Sequence, residues 1–340
     1  MPRRAYPGLV QPSRFVSAGQ LPPATDVALA LAEVHERLAA DHSGSLSSVY
    51  PVLAAADPDL FGLSVVSVTG QVARTGDADV VFPIMSVSKP FVFALVCAAV
   101  GVDAVRRRVG VNATGLAFNS ATAVERDPQG RTNPMVNPGA IATTSLVPGR
   151  DVEERWARVL DTLSRFAGRE LALDEGTLES ARATNHRNRA LANMLAGAGA
   201  LHGDALEAVE VYTRQSCLSV SAVDLAVMGA TLADGGTNPV TGEAVVDPEV
   251  AHATLAVMTI AGLYETSGDW LLDVGMPGKS GIGGGIVTVS PGKGALGTFS
   301  PLLDPQGNSI RGGLAARDLT RRLGLDVLAS EALDRGLPHP

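Results

Sequence analysis

Phe82-Pro83-Ile84-Met85-Ser86-Val87-Ser88-Lys89 is the stretch on which the fold turns. After Phe82-Pro83 the pattern becomes an apolar helical run from Ser86 to Val100, which places Ser86 at or near a helix N-terminus with its backbone N–H free. Lys89 follows three residues later, on the same helical face, so its amine can reach the Ser86 hydroxyl. A serine hydroxyl is a poor nucleophile until a neighbouring base takes its proton, and a desolvated amine is one such base. On composition alone roughly one lysine in ten has a serine three residues before it, so the bland reading of the pair is a solvated coincidence.

A second lysine sharpens the reading. The chain has three lysines, Lys89, Lys279 and Lys293, among 27 basic residues, and all the others are arginine. Arginine cannot release its proton in a protein, whereas a buried lysine can be tuned towards neutrality. Lys279-Ser280-Gly281 has the form of the Lys-(Ser/Thr)-Gly strand that partners Ser-x-x-Lys across a cleft. The following run, Gly281-Ile282-Gly283-Gly284-Gly285, fails as a dinucleotide loop. Ile286 fills its third glycine position, and it leads into a strand rather than a helix. Close backbone approach to a ligand fits better, with the Ile282 N–H as a donor to a developing oxyanion.

Outward from these motifs, a β-branched run at 61–68 turns at Thr69-Gly70 into 71–74, and 285–290 turns at 291–294 into 295–299. Both are hairpin signatures. The apolar spacing of Val27, Leu31, Val34 and Leu38 predicts an outer helix capped by Thr25 or Asp26, and 152–166, 190–200 and 312–325 also read as helices. Strands at both ends with helices between them predict an α+β fold: a mainly antiparallel sheet flanked by helices, with an inserted all-α subdomain and a cleft where the two meet. Residues 1–24 read as a flexible tail and 25–335 as one catalytic unit. Its sheet subdomain spans about 25–100 and 245–335, and its helical subdomain about 101–245.

The 340 residues are 46% hydrophobic and carry a net charge of −8 without a basic run, which argues against nucleic acid or an anionic membrane surface and for a small-molecule partner. The longest apolar stretch, from Phe91 to Val100, is too short to span a bilayer. No apolar segment follows Arg3-Arg4, and Cys97 and Cys217 lack Cys-x-x-Cys spacing, so a cytoplasmic protein with buried, reduced thiols is expected. Six scattered histidines offer no metal pattern, and no cofactor is expected.

From about residue 45 to 315 the chain resembles the serine-dependent bacterial glutaminase family, which shares the fold of serine β-lactamases and penicillin-binding proteins. The nucleophile segment 82–89 carries this resemblance, as do Phe118-Asn119-Ser120, the stretch from Asn133 to Ile141, Arg187-Asn188, and Tyr212 with Gln215. The stretch from Ala230 to Gly236, Pro239 to Glu243, Tyr264 with Ser267-Gly268, and Lys279-Ser280-Gly281 continue it in order. The resemblance implies hydrolysis of L-glutamine to L-glutamate and ammonia through a γ-glutamyl ester on Ser86. Lys89 would be the base, the Ser86 and Ile282 N–H groups the oxyanion donors, and Tyr212 and Tyr264 cleft phenols that relay a proton or bind substrate. Asn137 and Asn188 would hydrogen-bond the amino-acid end, and a homo-oligomer, dimer or tetramer, is implied.

The chain departs from the family pattern at several positions. Ala181 stands where the family has a glutamate that pairs with the substrate's α-ammonium, and Glu179 lies on another side of the helix. His186 replaces a small acidic residue, Pro138 an alanine, Ser216-Cys217 a Cys-Ser, and Tyr50-Pro51 stands for Tyr-x-Pro. The Ala181 change keeps open a non-catalytic or redirected amide-binding relative, and the fold keeps open a penicillin-recognising serine hydrolase.

Overall fold

A computed structural model describes residues 19–330. Its strands among these residues are β1 (Gly62–Ser67), β2 (Val72–Gly76), β3 (Phe82–Pro83), β4 (Ala172–Leu173), β5 (Leu218–Val220), β6 (Gly278–Ser280), β7 (Gly285–Ser290) and β8 (Gly294–Phe299). Both predicted hairpins form. β1 pairs with β2 around the Gly70 turn, and β7 pairs with β8 around Gly292, whose φ of 74° suits a residue without a Cβ. The sheet order is β2-β1-β8-β7-β6, antiparallel throughout, so the β1–β8 pairing joins the two ends of the chain.

Strands β1, β7 and β8 are buried on both faces because helices cover both. Leu63 and Val65 point to one side, where they meet Val27, Leu31 and Val34 of the helix Ala24–Leu38 and Ala315 and Leu319 of the helix Ile310–Arg322. The first of these helices starts at Ala24, ahead of the residues expected to cap it, and Asp26 lies in its first turn, where a carboxylate favours the positive end of the helix. Val66, Val287, Val289 and Ala295 face the opposite core, under the helix Ala222–Ala233. That helix packs so closely that a Cβ on Gly297 would sit 2.0 Å from the Ala222 carbonyl oxygen. It lies in chain order within the helical block, yet it rests on the sheet.

The rest of the block is built on helices such as Asn137–Ser145, Val152–Ala167, Glu175–Thr184, His186–Gly197 and Ala205–Ser216. It is not wholly α. β3, β5 and β4 form a small sheet in that order, and its role is to anchor the segment before Ser86. Phe82 of β3 also stacks on Phe299 of β8, with centroids 4.0 Å apart, which ties the small sheet to the large one. The helix Lys89–Val100 lies between the two halves, and all but four of its residues are buried. No single helix among the described residues is long and apolar enough to cross a membrane. The expected tail over 1–24 falls largely outside the described residues.

One buried cation fastens the termini. Arg311, fully buried, donates to Ser300 Oγ at 2.8 Å, to the Leu60 carbonyl at 3.0 Å and to the Pro58 carbonyl, with its guanidinium over the Phe61 ring. Arg311→Leu keeps apolar volume but orphans these acceptors. The expected loss is about 3 kcal/mol or more of unfolding free energy, read from the urea midpoint at unchanged m.

Candidate active site

The nucleophile segment folds differently from the simple helix start. Ser86 lies in a 3-10 turn, Met85–Ser88, and the α-helix begins only at Lys89, with Pro90 in its first turn. Pairing of Phe82 and Pro83 with β5, and a hydrogen bond from the Ile84 N–H to the Leu218 carbonyl, hold the approach to the turn. Met85 then takes a φ of 49°, left-handed for a side-chain-bearing residue and a sign of local strain immediately before the serine. The turn leaves Ser86 partly exposed while Val87, Ser88 and Lys89 are buried.

Lys89 Nζ donates to Ser86 Oγ at 2.5 Å. The lysine is 2% exposed, and burial without a nearby carboxylate lowers its pKa to about 7. Once the amine loses its proton, the same contact reverses and the serine O–H donates to it. Tyr212 sits beside this pair, with its ring centroid 5.6 Å from Lys89 Nζ, and burial holds its phenol well above the usual range.

On the other side, β6 and its loop close on the turn. A Cβ on Gly281 would lie 3.0 Å from the Ile84 carbonyl oxygen and 3.1 Å from the Ser86 N, tighter than ordinary contact, so glycine eases the approach of the Gly281–Ile282 segment to the nucleophile's amide. Among the described residues the Ile282 N–H donates to no protein group. Lys279 is fully buried, donates to the Ser280 carbonyl at 2.6 Å and lies 4.0 Å from the Tyr264 ring centroid. Burial, and secondarily the charge of Lys89, push its pKa well down. Tyr264 is the second strained residue, with φ 59°. Its hydroxyl donates to the Ser280 carbonyl at 3.3 Å and reaches the Ser86 hydroxyl, its ring packs on Phe118 at 4.9 Å, and burial raises its pKa to about 12. Ser280 Oγ in turn donates to Asn308 Oδ1 at 2.6 Å.

Ser86 opens on a cavity of about 160 Å³ whose wall includes Tyr212, Ile282, Asn137 and Asn188. Ten sequence-predicted site residues therefore meet in one place: these five, with Lys89, Tyr264, Lys279, Ser280 and Gly281 directly behind them. Asn137 Nδ2 donates to Asn188 Oδ1 at 3.1 Å, and Asn137 Oδ1 is buried without a donor. Pro138 occupies the first turn of the helix Asn137–Ser145, a position where proline costs nothing. Tyr50 reaches the wall despite its shifted proline, with its pKa raised by burial to about 12. Ala181 is also there, 1% exposed, against Leu178 and Cys217.

Among the described residues the wall contains no Asp or Glu, and Arg187 is its one ionic side chain. Sequence reasoning passed over Asn185, Thr184 and Thr213 in this wall. Asn185 stands four residues after Ala181, the spacing that could have flagged it.

A serine activated by a buried amine, faced by a Lys-Ser-Gly edge strand across a small cavity, defines a serine hydrolase of the β-lactamase-like class. Known proteins narrow the class. The family model described as Glutaminase matches residues 44–328. Glutaminase 2 of Yersinia pestis is 60% identical over 317 residues, 93% of either chain, and the glutaminase of Mycobacterium ulcerans is 45% identical over 87% of this chain and 93% of its own. Among solved structures, a probable glutaminase, ybaS, superposes with a TM-score of 0.89 at 40% identity, covering 91% of this chain and all of the other. Mglu in its glutamate form gives 0.85 at 41% identity over 89% of this chain and 69% of its own. The chain belongs to the glutaminase family.

Proposed function

We propose that the chain hydrolyses L-glutamine to L-glutamate and ammonia through an acyl-serine intermediate. The observation that carries this is the 2.5 Å contact between Ser86 Oγ and a buried Lys89 amine at the floor of a cavity sized for one small molecule. Neutral Lys89 takes the Ser86 proton as Oγ attacks the side-chain amide carbon, and the oxyanion forms between the Ser86 and Ile282 N–H groups. Tyr264, protonated at neutral pH because burial raises its pKa, gives its proton to the departing ammonia and regains one from Lys89. Water then attacks the ester with Lys89 as base, which frees glutamate and Ser86. Asn137, Asn188 and Tyr212 hold the amino-acid end, and Arg187 suits its carboxylate. Identity of 60% to a glutaminase disfavours both a non-catalytic relative and a penicillin-recognising hydrolase.

Ammonia release from glutamine tests the reading, and its pH dependence tests the base. Lys89 works deprotonated, so kcat/KM should level off above pH ~7 and fall about tenfold per unit below it, one proton being taken up. Full activity persisting at pH 5 would overturn the assignment. In the same reading the protein acts in the cytoplasm as a homo-oligomer, consistent with Cys97 and Cys217 being buried free thiols. Light scattering on the purified protein reads the assembly.

A further inference from the structure

Glutamine brings an α-ammonium into a cavity whose wall, among the described residues, has no carboxylate, which leaves neutral oxygens of that wall to receive it. Two side-chain carbonyl oxygens of wall residues are buried without any donor: Asn137 Oδ1 and Asn185 Oδ1. A buried acceptor left unpaired is costly, and in a ligand-binding wall it marks a place where the ligand supplies the donor.

The two are not equivalent. Asn137 is the first residue of the helix Asn137–Ser145, at the end whose free N–H groups favour an anion, so the field there opposes an ammonium at its Oδ1. Asn185 is at once the C-cap of the helix Glu175–Thr184 and the N-cap of His186–Gly197, so a negative and a positive helix end meet there and their effects on a cation offset. Its orientation is set. Asn185 Nδ2 donates to Thr213 Oγ1 at 3.1 Å, and that hydroxyl is itself committed to the Val209 carbonyl at 2.7 Å, so the amide cannot flip without setting acceptor against acceptor. Oδ1 is thereby left as the buried, unpaired acceptor, one turn beyond Ala181, whose methyl supplies no charge.

We propose that Asn185 is the specificity-determining residue of this site, its Oδ1 accepting the α-ammonium as a neutral substitute for a carboxylate. This rests on the glutaminase reading above. The test is calorimetric binding of L-glutamate and of glutarate, which lacks the ammonium, to the native chain, Asn185→Ala and the isosteric Asn185→Asp.

In Asn185→Ala the preference for glutamate over glutarate should shrink about tenfold or more, with glutarate binding unmoved. In Asn185→Asp it should grow by about the same factor, the hydrogen bond having become an ion pair. A preference unmoved by either substitution, or a loss shared equally by both ligands, overturns the proposal and makes Asn185 a structural amide. Should the alanine variant not fold, the aspartate variant decides alone. Absence of ammonia release by the native chain would instead strike the parent reading, which the ligand ratio does not measure.

Discussion

Lys89→Met is expected to lower kcat for glutamine by about 10³-fold or more, and Ser86→Ala by about 10⁴-fold or more, with the double variant hardly worse than the serine variant alone. The reason is that the two side chains act as one unit: the hydroxyl is nucleophilic only while an amine 2.5 Å away can take its proton. Methionine fills the volume of a lysine that is 2% exposed, so the fold should hold and the loss should be chemical. Lys89→Arg separates base from charge. A guanidinium reaches the same region but cannot deprotonate, so it should be as inactive as methionine, and its larger head must also fit a closed site. Single-turnover ammonia release, with thermal melts as the check on folding, reads all four proteins. Multiplicative losses in the double variant would mean that Lys89 acts on substrate independently of Ser86.

How much of this was visible beforehand depended on whether a feature has a local signature. The β1–β2 and β7–β8 hairpins were legible because β-branched runs flank glycine turns, and β6 because it carries Lys279-Ser280-Gly281. Strands β3, β4 and β5, two or three residues each, are too short to show a period, yet they anchor the nucleophile turn. The helix Ala222–Ala233 was not singled out from the sequence, and its position was not legible either. All its residues except Val223 are buried, so no polar stripe says which surface it covers, and chain order alone assigned it to the helical block.

The site divides along the same line. Ser86, Lys89 and the Lys-Ser-Gly strand were found because spacing encodes their geometry, whereas the tyrosines and asparagines entered only through the order of a family pattern. Left-handed Met85 and Tyr264 carry no sequence mark, since neither is a glycine or an asparagine. Asn185 was passed over because no motif or period marks it, and only its unpaired oxygen beside the cavity sets it apart.

The sequence left Tyr212 and Tyr264 as equal candidates for the proton relay, and the geometry separates them. Tyr264 reaches the Ser86 hydroxyl and is fixed on every side: Phe118 against its ring, Lys279 Nζ 4.0 Å from its centroid, and the Ser280 carbonyl accepting from its hydroxyl. The Tyr212 phenol has no comparable interaction with Ser86 among the described residues, and its ring instead flanks Lys89. Tyr264→Phe keeps the packed ring and removes only the proton, so kcat should fall about 10²- to 10³-fold while KM changes little. Tyr212→Phe should act mainly on KM, as loss of a substrate contact, by about tenfold. A pKa of about 12 for Tyr264 sets the sign of the pH dependence. The phenol is protonated throughout the neutral range and serves as acid, so its removal should not shift the inflection near pH ~7 that belongs to Lys89. If instead Tyr212→Phe took the larger toll on kcat, or Tyr264→Phe moved that inflection, the proton would travel by the other phenol and the Tyr264 contact with Ser86 would be one of position only.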